Sequence, residues 1–171
     1  MFALDENAVS QAVVRWLEDQ GYQARAIRAG QHGIDVAAWH PETRHRWAIE
    51  AKGAASSKKG SRRIDRPLSD GAAYGAVSKA LLNTIFWTGI TTMRDTSIGL
   101  ACPSDRYFDM WLDRIEPACA VLGISIFRVG TDGEVKCSPK HPVDRPAPLL
   151  TPQWPMPRSL QRNFELPPYE D

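Results

Sequence analysis

Nine of the 13 prolines lie in residues 139–171. Proline fixes its own φ and carries no amide proton, so such a stretch forms neither a continuous helix nor a central strand. Regular structure is therefore expected in residues 1–138, with residues 139–171 as a proline-rich C-terminal tail. With 43% apolar and 24% charged residues, a chain of this length can bury one core without disulfides. Cys102, Cys119 and Cys137 are odd in number, widely spaced and never in a CxxC pair. Neither a disulfide framework nor a zinc site is expected, and a reducing, cytoplasmic setting fits. The opening Met-Phe-Ala-Leu-Asp-Glu lacks the basic-then-apolar order of a secretory leader, and no apolar run is long enough to span a membrane.

Within residues 1–138 the pattern alternates between helical and extended periods. Val9, Ala12, Val13, Trp16 and Leu17 recur at helical spacing, which predicts an amphipathic helix over residues 6–20. Asp5 is its expected N-cap, Leu4 and Val9 form a hydrophobic staple, and Gly21 is the stop. Strands are expected at 22–27, 33–39 and 46–52, with a turn over residues 40–45. Residues 53–70 are polar and basic, without a period. A second helix is expected over 72–86, a buried strand over 97–102 and a third helix from Pro103-Ser104 to Leu122. A strand over 124–129 and a hairpin through Thr131-Asp132-Gly133 into 134–137 complete an α/β arrangement.

The strands at 33–39 and 46–52 carry the chemistry. If their turn is centred between Glu42 and Thr43, Trp39 faces Arg46 and Asp35 faces Glu50. Side chains alternate along a strand, so Glu50 and Lys52 share one face and Asp35 joins them. Carboxylates directly opposed, with Cβ atoms about 4.5–5.5 Å apart, repel each other and call for a cation between them. A hard divalent ion such as Mg²⁺ or Mn²⁺ suits oxygen ligands of this kind. Glu6 sits on the apolar stripe of the first helix, which is unusual for a carboxylate without a partner, and this site is one candidate partner.

Gly33-Ile34-Asp35, then Ile49-Glu50-Ala51-Lys52, with Glu6 upstream, resemble the PD-(D/E)xK nuclease superfamily over about residues 5–130. The layout is similar to that of Holliday junction resolvases and of Mrr-type restriction enzymes. Ile34 stands where the signature proline would be, and the second helix has no glutamine, offering Tyr74, Ser78 and Lys79 instead. The resemblance implies a restriction endonuclease-like αβββαβ core, a mixed sheet flanked by helices. It implies that Asp35, Glu50 and the carbonyl of Ala51 hold the metal. Lys52 would orient the attacking water or stabilise developing charge, and Glu6 would act through a water on the metal.

The expected activity is hydrolysis of DNA phosphodiester bonds in repair, restriction or mobile-element defence. The alternative is a non-catalytic nuclease-like module that docks a larger nucleic-acid-processing assembly. The net charge of +1 gives no global basic field, so any DNA grip must be local. Lys58, Lys59, Arg62 and Arg63 (with Arg66) supply a basic stretch just past the site, and Lys79 adds a cation from the second helix. His40 and His45 are expected to be solvent-exposed at the turn, and His32 to have a loop role. Trp16, Trp39, Trp47, Trp87 and Trp111 are expected mostly in the core. Trp154, in the tail, would pack on the domain or against a protein partner, and a homodimer is compatible with the same surface. No phosphate-cradling glycine loop is present, which argues against a nucleotide-hydrolysing or dinucleotide-dependent enzyme.

Overall fold

The computed structural model describes residues 3–27, 34–55, 68–89 and 96–138. His32, Gly33, the basic stretch from Lys58 to Arg66 and the tail with Trp154 lie outside the described residues. The first helix, α1, runs Glu6–Glu18, and Asp5 caps it by accepting from the Ala8 N–H at 2.8 Å. Leu4 packs against the cluster that contains Val9, as the staple requires. The chain leaves the helix through Gly21 at φ 85°, a left-handed conformation that favours glycine.

Strands follow at Gln23–Ala26 (β1), Val36–Trp39 (β2) and Arg46–Ala51 (β3). Helix α2 spans Asp70–Thr88, strand β4 Thr96–Pro103, helix α3 Arg106–Leu122, and strands β5 and β6 Ile124–Val129 and Val135–Ser138. The six strands form one sheet in the order β1-β2-β3-β4-β5-β6. β3, β4 and β5 run parallel, and β1, β2 and β6 are added antiparallel at the two sides. The β2–β3 register pairs Trp39 with Arg46 and Val36 with Ile49, the pairing predicted from the turn.

Two cores follow from this layering. α1 covers one face, where Val9, Val13 and Leu17 meet Trp47, Ile49, Ala51, Ala101 and Phe127. The Phe127 ring takes Trp16 and Trp47 edge-on at 5.5 and 5.3 Å. α2 and α3 cover the other face, over Ala48, Ile98, Leu100, Cys102, Ile124 and Ile126. β4 is buried along its whole length because both faces are covered, which is why its stretch Ile98-Gly99-Leu100-Ala101-Cys102 carries no charged or hydroxyl side chain, although Thr96 and Ser97 before it are buried polar residues. Gly99 lies within it, and a Cβ there would stand 2.5 Å from Phe127 Cε2. The fold is thus α/β, a six-stranded mixed sheet flanked by helices. Among the described residues no helix is long and apolar enough to cross a membrane.

Several expectations are corrected. β2 begins at Val36, and Asp35 lies in a bend before it. α3 begins at Arg106, because Asp105 accepts from the Tyr107 and Phe108 N–H groups while Pro103 still pairs with Val129 in the sheet. His45 is half-buried, not solvent-exposed: it bonds the Tyr22 hydroxyl at 2.9 Å and the Ser97 hydroxyl at 2.7 Å. The His40 ring is also half-buried and accepts from the Glu42 and Thr43 N–H groups of the turn, each at 3.3 Å. Trp47 and Trp87 are core residues, whereas Trp16, Trp39 and Trp111 are half-buried.

Candidate functional site

Glu50 is the penultimate residue of β3. Side chains alternate along the strand, so Glu50 and Ala48 point toward the α2 face and Ile49 between them points toward α1. Glu50 is only 4% exposed. Its Oε1 accepts from Asn83 Nδ2 of α2 at 3.0 Å and lies 2.7 Å from Lys52 Nζ. Its Oε2 is buried and has no hydrogen-bond partner among the described residues. Lys52 follows β3, and its backbone N–H donates to Ala101 O at 2.9 Å, which ties it to β4. Its ammonium donates to Ala51 O at 2.6 Å and lies 3.7 Å from Asp35 Oδ2 and 3.5 Å from Glu6 Oε2.

Asp35 reaches this place by leaving the strand. Its N–H donates to Ile49 O at 3.0 Å, and its Oδ2 accepts from the Ala51 N–H at 2.7 Å. Glu6 arrives from the opposite face of the sheet because residues 53–55 pass against the start of α1. Ala54 and Ala55 donate to Leu4 O at 2.7 and 3.3 Å, and Asp5 bridges Ala55. Only glycine fits at position 53, where a Cβ would overlap the Glu6 nitrogen.

Among the described residues, three carboxylates therefore share one ammonium. Burial, then the charge of Glu50, push the Asp35 carboxyl up to about 7, against the smaller opposing pull of Lys52 and the Ala51 N–H. Burial alone would lower the Lys52 pKa, but Glu50, Asp35 and Glu6 together raise it. Among the described residues the site is short of positive charge, and a buried oxygen without a hydrogen-bond partner belongs to one of its carboxylates. Those features fit a hard cation held by Asp35, Glu50 and the Ala51 carbonyl. Among the described residues no group of three or more His, Cys, Asp or Glu side chains converges closely enough to hold a metal ion, so the carbonyl and water would have to complete such a shell.

The structure brings Asp35, Glu50, Lys52 and Glu6 together, as the sequence pattern predicts. Asn83 escapes that pattern. Its available signal is a single amide within Ala80-Leu81-Leu82-Asn83-Thr84-Ile85-Phe86-Trp87, an otherwise largely apolar run. Of the residues singled out on this helix, Lys79 is exposed one turn before Asn83. Asn83→Ala removes one donor from a buried carboxylate and is expected to cost roughly 1–3 kcal/mol. Urea unfolding checks this, and an unchanged midpoint and slope would show that the bond contributes nothing. The chain matches no family model, no curated protein and no solved structure.

Proposed function

We propose that this chain is a divalent-metal-dependent deoxyribonuclease of the PD-(D/E)xK type, built on a restriction endonuclease-like core. The observation that carries the reading is the meeting of Asp35, Glu50 and Lys52 at the end of β3, with Glu50 Oε2 buried and unpartnered among the described residues. Asp35, Glu50 and the Ala51 carbonyl would hold Mg²⁺ or Mn²⁺. The ion would lower the pKa of water and neutralise charge on the scissile phosphate. Lys52 supplies a proton donor and a positive charge beside the reacting phosphate, and Asn83 fixes the rotation of the Glu50 carboxylate. Glu6 adds negative charge at the rim, where it orients the Lys52 ammonium. Lys58, Lys59, Arg62, Arg63 and Lys79 would grip the DNA backbone.

The test is cleavage of supercoiled plasmid and of RNA in Mg²⁺ or Mn²⁺, by the parent and by Glu50→Gln. The parent is expected to cut DNA and the variant to lose at least about a hundredfold in rate, the scale of one misplaced charged group at a reacting centre. A parent inert on DNA with either metal would sink the reading. One observation favours the alternative of a non-catalytic interaction module. The outer face of α2 leaves Tyr74, Leu82 and Phe86 exposed at 53%, 67% and 44%. An inert parent that binds a protein partner through this face would support that alternative.

A further inference from the structure

We infer that Lys52 is the built-in counter-cation of this site, and that a divalent ion loads only by displacing its ammonium. The inference rests on the nuclease reading and concerns how that site is regulated. The ammonium touches Glu50 Oε1 at 2.7 Å and Ala51 O at 2.6 Å, with Asp35 Oδ2 at 3.7 Å and Glu6 Oε2 at 3.5 Å. Asp35, Glu50 and Ala51 are the same groups that would bind the ion. A Mg²⁺ ion needs its oxygens at about 2.0–2.1 Å. Sharing those oxygens with the ammonium would set two cations a few ångströms apart in a buried place, where their repulsion is weakly screened.

The geometry also says which part moves. The Lys52 backbone is pinned to Ala101 O at 2.9 Å, so the four-carbon stem must carry the change. The side chain is 19% exposed, so part of it already borders solvent. Without the ammonium, Glu50, Asp35 and Glu6 would repel one another across the end of the sheet. Lys52 thus holds the site together until an ion takes its place, and loading sets the ammonium free at the rim.

Calorimetric titration of the full chain with Mn²⁺ alone tests this, in the parent and in Lys52→Met, which keeps the stem and removes the charge. The variant is expected to bind Mn²⁺ about tenfold more tightly or better. In the parent, Mn²⁺ should raise the rate at which an amine reagent modifies Lys52, read by peptide mass mapping. This second measurement separates displacement from repulsion at a distance, and it decides the matter alone if Lys52→Met fails to fold. Equal or weaker binding by the variant, or unchanged labelling of the parent, overturns the inference and leaves the nuclease reading standing. Absence of Mn²⁺ binding in both proteins overturns both.

Discussion

Asp35→Asn is expected to melt at a higher temperature than the parent in EDTA on the alkaline side of about pH 7, and to lose most of the stabilisation that Mn²⁺ gives the parent. The sign follows from the raised pKa. In the unfolded chain this carboxyl releases its proton near 3.8, and in the folded chain near 7. Between those values the unfolded state is ionised while the folded state still holds the proton, so rising pH favours unfolding. The contribution is fully present below 3.8 and is lost as pH rises through about 7, by at most about 1.4 kcal/mol per pH unit. Asparagine cannot titrate, and its side-chain oxygen can still accept the Ala51 N–H. The variant should therefore show a flatter pH dependence. An ion that binds only the folded state reverses the preference in the parent, because it favours the ionised carboxylate. Thermal melts across a pH series, with EDTA and with Mn²⁺, read both effects. Parallel curves for the two proteins would remove Asp35 from the site.

Gly53→Ala should be among the most damaging single methyl additions to this chain. The new Cβ would overlap the Glu6 nitrogen and stand 2.5 Å from the Asp5 carbonyl carbon, both backbone atoms that cannot rotate away. Residues 53–55 would have to separate from the start of α1. The bonds from Ala54 and Ala55 to Leu4 O would lengthen, and Glu6 would withdraw from Lys52. The expected loss is about 1–3 kcal/mol or more, the range for overpacking at a site that cannot relax. Gly71→Ala is the control. Among the described residues nothing lies within 4 Å of its added Cβ, and it sits in the first turn of α2, so about 0.4–1 kcal/mol of stabilisation is expected. Denaturant unfolding of both variants checks the contrast. Equal behaviour would mean that the contact at position 53 relaxes without cost.

Local periodicity determined much of this protein without reference to any tertiary contact. The cap of α1 by Asp5, the β2–β3 register and the burial of β4 were legible because side-chain direction follows the repeat of the backbone. The register then placed Asp35, Glu50 and Lys52 near one another. Only the tertiary structure decided the rest. Asp35 leaves its strand and bonds the Ala51 N–H with its side chain, a local departure that alternation cannot express. Asn83 reaches Glu50 across 33 positions of sequence because α2 packs on that face of the sheet. Glu6 meets Lys52 because Gly53 lets two backbones touch. His45 looks like a turn residue in sequence, yet Tyr22 and Ser97, from other parts of the chain, close around it. Contacts of this kind depend on how elements far apart in the chain pack, and no local period encodes that packing.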